Sequence, residues 1–328
     1  MRTEEAIQLV AAARTDADLF GTEAPARRYR TLVGALHPDR LGAADPGVRA
    51  AAADALTTVT TRWRGTTPTP AHVGDLADLH RKEGPPLNAS GRGGAPSYHL
   101  IKVPRHPGDN DLMAREARAL RRIAERGDAR HLAYVPRLVD SYPARDPASG
   151  VERLVNELTT APGLHSLADV RRAYPHGVDP RDAAWMWRRL LVALGLAHRA
   201  GVVHGAVLPR HVLIEPDAHG LVLVDWCFST EPGGLVPAQV PGQEDWYPPE
   251  VAGKRPCGPG TDIALAARCM TWLMADRAPR ELRAFADGCR QPALAARPDD
   301  AWRLLRELDE VLHRLYGPRT FRPSTLNP

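Results

Sequence analysis

Residues 202–228 read VVHGAVLPRHVLIEPDAHGLVLVDWCF. Two apolar, β-branched runs, Val212-Leu213-Ile214 and Leu221-Val222-Leu223-Val224, flank the cluster Pro216-Asp217-Ala218-His219-Gly220. Such runs on either side of a Pro/Asp/Gly cluster predict a strand–turn–strand unit, and their continuous apolarity puts it deep in a core. Polar residues stand at its open end, His204 ahead of the first strand and Asp225 after the second. Polar groups at the mouth of a buried hairpin face a cleft.

The 328 residues suffice for one large domain and one small one. The net charge is only +4, and of the basic residues only Lys82, Lys102 and Lys254 are lysine. No stripe of basic and aromatic residues is visible, which argues against nucleic acid as a partner. Cys227, Cys257, Cys269 and Cys289 form no C-x-x-C pair and have no His at zinc spacing, so they read as reduced core residues of a cytoplasmic protein. No signal peptide and no membrane-spanning apolar run is read, so no membrane partner is expected.

Upstream of the hairpin, Tyr98 to Val103 reads as a strand carrying Lys102. Fourteen residues on, Glu116 lies in Leu112 to Leu120, which has helical spacing. Val135–Tyr142 and Arg153–Leu158 read as further strands, and Asp182–His198 as an apolar helix. Downstream come Tyr247-Pro248-Pro249-Glu250, Gly260-Thr261-Asp262-Ile263 and Ala296-Arg297-Pro298.

In this order and spacing, residues 71–316 resemble a protein kinase. The hairpin resembles the catalytic loop H-R-D-L-x-x-x-N followed by D-F-G, with His204 at the first His and Asp225 at the metal-holding Asp. The resemblance implies a bilobal fold, with a small lobe over about 71–158 and a large lobe over about 159–317. It implies that Lys102 pairs with Glu116, Glu125 being the alternative partner, and that both serve ATP or ADP. Backbone groups of Glu157 and Leu158 would meet the adenine, and Asn156 takes the gatekeeper slot. Asp225 would hold Mg or Mn. Glu250 and Arg297 would form a buried ion pair, and Asp262 would brace the catalytic-loop backbone. His72–Arg81 alternates as a hairpin would, where a kinase covers the phosphates with a glycine-rich loop, but only Gly74 is present. Residues 83–97 read as a mobile loop.

Three departures sit at the chemistry. Gly205 stands in the place of the Arg, Ala206 in the place of the catalytic Asp, and His211 in the place of the second metal-binding Asn; Trp226-Cys227 replaces Phe-Gly. A general base contributes about 10²–10⁴-fold, and a methyl group accepts no proton. Magnesium prefers oxygen ligands, so His211 either ligates a softer metal or fills the space.

The first 64 residues read as helices over Thr3–Ala13, Pro25–Leu36 and Gly47–Arg64, the last with Ala52, Leu56, Val59 and Trp63 on one side. Proline stops the second helix at His37-Pro38-Asp39, giving an antiparallel helical pair with a short, exposed, polar turn. YRTLVGALHPDR, with Ala17–Gly21 ahead of it as a short first helix, resembles the J-domain pattern Y-R-x-L-x-x-x-x-H-P-D. That resemblance implies docking on a heat-shock ATPase chaperone through His37, Pro38 and Asp39, with Arg27, Arg28 and Arg30 as a basic face. Gly34 departs from the bulky or basic residues common there and costs the helix roughly 1 kcal/mol relative to Ala. Gly65–Pro70 reads as a stiff linker, and 318–328 as a tail.

The fold expected is therefore α+β: an all-α J-domain-like helical hairpin at 1–64, a linker at 65–70, and a protein-kinase-like domain at 71–317. Three functions stay open. One is a pseudokinase that binds nucleotide and serves as a regulatory scaffold beside a chaperone-docking module. The second is an unorthodox phosphotransferase or nucleotidyltransferase recruiting His204, His211 or Asp217. The third is an interaction scaffold with a vestigial cleft. The client of the kinase-like part is not written in the chain.

Overall fold

The computed structural model describes residues 1–21, 25–41, 44–66, 76–83, 98–145, 150–160, 163–324 and 326. Helix and sheet are mixed in an α+β arrangement with two antiparallel sheets. Two hydrophobic cores form, one within the first 66 residues and one in the remainder.

Four helices build the first unit: α1 (Thr3–Ala12), α2 (Asp16–Phe20), α3 (Pro25–Leu36) and α4 (Pro46–Thr66). In α3 the buried residues Tyr29, Leu32, Val33 and Leu36 recur at helical spacing and make one apolar face. Ala6 and Val10 of α1, Leu19 and Phe20 of α2, and Ala52, Ala55 and Val59 of α4 close on it. Thr15 and Asp18 cap α2 reciprocally, each side chain accepting from the other's amide. The Trp63 side chain lies outside the described residues. Helix α4 runs on through Gly65 and Thr66, so the expected linker starts late, and residues 67–75, with Gly74, lie outside the described residues.

The larger sheet has the strand order β1-β2-β4-β3, from β1 (Ala77–Glu83), β2 (Tyr98–Pro104), β3 (Arg137–Arg145) and β4 (Glu152–Thr160). Residues 77–83 form one strand paired with 98–104, so the hairpin read within 72–81 is corrected: its second arm lies beyond residue 97. The loop read at 84–97 lies outside the described residues. Helix α5 (Asn110–Arg126) packs across this sheet through Leu112, Met113, Leu120 and Ile123. Strand β4 stays paired as far as Thr160, opposite Tyr98, so a lobe boundary at 158/159 falls inside a strand.

The rest is largely helical. A short sheet joins β5 (His165–Ser166), β6 (Val212–Glu215) and β7 (Gly220–Leu223). Around it lie α6 (Leu167–Ala173), α7 (Pro180–Arg199), α8 (Pro249–Ala252), α9 (Pro259–Met274), α10 (Arg280–Cys289) and α11 (Ala301–Tyr316). Helix α7 starts on Pro180 with Asp179 accepting from the Arg181 amide, and is buried along most of its length between α9 and α11. All four cysteines are buried thiols. No helix among the described residues is long and apolar enough to cross a membrane.

The helical unit docks on the β6–β7 turn. Arg30 pairs with Asp217 at 3.3 Å, and the Tyr29 hydroxyl reaches Glu215, whose carboxylate also accepts the Asp217 and Ala218 amides. His37 is fully buried here, which corrects the exposed turn expected at His37-Pro38-Asp39; Pro38 and Arg40 do face solvent. Its ring packs against Phe321 of the C-terminal segment at 4.1 Å and edge-on to His219 at 5.6 Å. His219 in turn stacks on Trp185 at 4.3 Å. Gly34 faces the same Phe321 ring, with room for a Cβ at 3.8 Å.

Burial foremost, with the Arg189 and Arg319 cations acting in the same direction, pushes the His37 imidazole down to about 3. A depressed folded value means that the contribution is whole above the ordinary 6.5 and is lost as pH falls from there toward 3. Thermal melts between pH 7 and pH 4 should therefore show a shallower loss of stability in His37→Gln than in the wild type. Equal slopes would mean that His37 is not buried in solution.

Candidate functional site

Lys102 sits on β2, directly across the ladder from Asn156 of β4, and is buried. A buried ammonium is costly unless paired. Its Nζ lies 2.9 Å from Glu116 Oε1 on α5 and 2.5 Å from Asp225 Oδ1. Burial alone would lower the Lys102 ammonium, but the surrounding acidic groups, Asp225 foremost, outweigh it and hold it well above its usual range. Cys227 Sγ lies 3.9 Å away, and burial pushes that thiol well up, so it adds a neutral wall. Glu125, the alternative partner, is exposed on α5.

Asn156 fixes the other side of Glu116. Its amide donates to Glu116 Oε2 at 2.9 Å and to the Met113 carbonyl at 3.0 Å, while its carbonyl accepts from the Ser141 hydroxyl at 2.8 Å. Both oxygens of Glu116 are thus used. The signal for this role is a polar residue inside the apolar run Leu154-Val155-Asn156; its partners come from α5 and β3 and appear only in three dimensions. Glu157 and Leu158 lie inside the ladder, paired with Ile101 and Leu100 on one side and with Asp140 and Leu138 on the other. Their backbone groups therefore do not form a strand exit facing an adenine, and the Glu157 side chain pairs with His99.

The 202–228 stretch folds as β6 and β7 with an ordered loop before and after. Asp225 follows β7 in a left-handed conformation, φ 63° and ψ 52°, which turns its carboxylate toward Lys102. Its second oxygen faces His211 Nε2 at 3.2 Å. His211 Nδ1 lies 2.7 Å from the Ala206 carbonyl. His204 accepts the Ala206 amide on Nδ1 at 3.2 Å, so the proton is on Nε2, which donates to the Val224 carbonyl at 2.8 Å. Burial pushes His204 down to about 4, against the pull of Asp262, so the ring is neutral at pH 7. Both nitrogens of both rings are engaged, and Asp217 sits at the far end of the hairpin against Arg30.

Gly205 has a physical reason. Its φ is +79°, and a Cβ there would lie 2.6 Å from the Phe228 carbonyl oxygen and 3.0 Å from Val236 Cγ2. No side chain fits that backbone. Asp262 of α9 clamps it, accepting the His204 amide at 2.7 Å and the Gly205 amide at 2.8 Å, with His198 Nε2 at 2.9 Å. Nearby, Arg297 makes a two-pronged pair with Glu250 at 2.6 and 3.0 Å, and Thr261 donates to the same carboxylate. Burial alone would raise the Glu250 carboxyl; the Arg297 and Thr261 hydrogen bonds, with the backbone's, outweigh it and hold it low. Trp226 is buried against His204, its indole N–H donating to the Leu223 carbonyl.

The donor set does not suit a magnesium ion. Asp225 is shared between an ammonium and an imidazole, and no group of three His, Cys, Asp or Glu side chains among the described residues gathers as a metal site. Of the remaining residues singled out in the sequence, Arg27, Arg28 and Arg30 are exposed on α3, and the Asp39 side chain lies outside the described residues.

No protein-family model matches the chain. One stretch of 58 residues is 38% identical to casein kinase II subunit alpha' of Saccharomyces cerevisiae, covering 18% of this chain and 17% of that protein. That stretch is similar to part of a protein kinase, and the chain spans less than a fifth of the curated relative's length.

Lys102 holds two carboxylates, and removing one partner of a buried ion pair costs about 3–5 kcal/mol. Lys102→Ala should lower stability by that order in urea unfolding, with no ligand present. A change within about 0.5 kcal/mol, the range of surface substitutions, would mean the cluster is open to water.

Proposed function

We propose that this chain is a pseudokinase-type scaffold: a kinase-like domain without phosphoryl transfer, joined to a J-domain-like helical unit that recruits a heat-shock ATPase chaperone. The observation that carries the first half is the closure of the charge cluster on itself. Lys102 and His211 occupy the two oxygens of Asp225, and Ala206 stands where a proton acceptor is needed. Phosphoryl transfer rests on positioning and on neutralising phosphate charge, with a base to take the hydroxyl proton. Here the Lys102 ammonium is already neutralised by the chain's own carboxylates. ATP entering the cleft has to draw Lys102 away from Asp225. Magnesium has to displace His211. The retained clamps, Asp262 on residues 204–205 and Glu250 on Arg297, support a folded large lobe and give it no chemistry.

The second half rests on the spacing of Tyr29 in α3 and His37 directly after it, and on the exposed arginines of that helix. Since Phe321 and His219 cover His37, the arrangement described is the one in which chaperone docking is withheld.

Two measurements test the reading. ATP labelled separately on the α- and γ-phosphates, with magnesium and with manganese, should give no transfer to the protein or to an added acceptor. Transfer that disappears in Asp225→Asn would make the chain an enzyme. Phe321→Ala should raise stimulation of a chaperone ATPase above the wild type, and adding His37→Gln should abolish the gain; no stimulation by either form would remove the chaperone half.

A further inference from the structure

A cavity of about 660 Å³ opens between α7, α11 and the chain segment 317–323. It is separate from the Lys102 cluster, and five arginines line it: Arg181, Arg188, Arg189, Arg319 and Arg322. Arg188 pairs with Asp309 at 2.6 Å, and Arg322 with Asp182 at 3.3 Å and Asp179 at 3.7 Å. Arg181 instead lies over the Tyr316 ring at 4.8 Å, and Arg189 donates to the Tyr134 hydroxyl at 2.9 Å. Both of these contacts are with neutral groups. The positive field is felt nearby, since Arg189 and Arg319 both act to keep His37 unprotonated. Trp185, Tyr316 and Phe321 add flat apolar walls.

We propose that this cavity binds a small molecule carrying two or more linked phosphates. Guanidinium groups bind phosphate oxygens in two-pronged fashion and stack on aromatic faces. Cations spread over α7 and the 317–323 segment suit an extended anion better than a single sulfate or phosphate. The volume is that of a small-molecule site rather than a macromolecular face. A free polyphosphate and the triphosphate of a nucleotide share this chemistry. Neither needs the Lys102 cleft or a metal ion, so the inference does not rest on the function proposed above.

The test is calorimetric titration of the full chain, without metal and at physiological salt, with inorganic tripolyphosphate and with ATP. Arg181→Gln/Arg319→Gln alters two exposed residues, so the fold is kept. Arg118→Gln/Arg121→Gln removes the same charge from exposed positions on α5. Tripolyphosphate should bind the wild type and the α5 variant alike, and the cavity variant at least roughly tenfold more weakly. Tighter binding of ATP than of tripolyphosphate would assign the source to a nucleotide whose base meets the aromatic wall. Equal binding would assign it to the phosphate chain alone. The proposal is overturned by absence of tripolyphosphate binding at millimolar concentration, by equal weakening in both variants, or by ATP binding that the cavity variant leaves intact.

Discussion

A charged amine with almost no access to water has to be neutralised where it lies, and that requirement organises the centre of this molecule. Lys102 brings together a strand, a helix and the loop after β7, because Glu116 and Asp225 reach it from different elements. Each carboxylate then needs its own second partner. Asn156 supplies it for Glu116 and His211 for Asp225, and Ser141 and Ala206 complete the chain of contacts. In a low-dielectric interior such a network is rigid when fully satisfied and unstable when it loses one member.

A second constraint is backbone polarity in the segment before β6. The amides of His204 and Gly205 are buried and find their acceptors in one carboxylate, Asp262. The His204 ring then spans from the Ala206 amide to the Val224 carbonyl and ties that segment to the end of β7. Glu250 and Arg297 perform the corresponding task between α8 and the chain ahead of α11. These contacts hold the frame around Ala206.

How much was readable in advance depended on how local each signal was. The β6–β7 hairpin is legible because its two apolar runs and its turn are contiguous. The helical spacing of Leu112–Leu120 is legible within a helix that runs over Asn110–Arg126, and the kinase resemblance implies the closeness of Lys102 to Glu116. The role of Asn156 is not, since it depends on the register of β2 against β4 and on the seating of α5. Gly205 reads in sequence as a lost arginine, whereas the structure shows a left-handed backbone against the Phe228 carbonyl that admits no side chain. His37 reads as an exposed turn because helix periodicity says nothing about partners far along the chain; Phe321 and His219 bury it. The apolar run ends at Leu158, but strand termini are set by pairing, and Thr160 against Tyr98 carries β4 two residues further.

The way α3 seats on the β6–β7 turn bears on how the molecule can be dissected. A gene fragment that starts at the linker would keep the larger core intact, yet it would strip the His37 cover from His219 and Phe321. It would also leave the Glu215 carboxylate without the Tyr29 hydroxyl. The new surface would be aromatic and weakly polar, the kind that self-associates on concentration. Aggregation of such a fragment would report the missing cap rather than a misfolded sheet, and replacing Phe321 by a polar residue would be the rational way to keep it in solution.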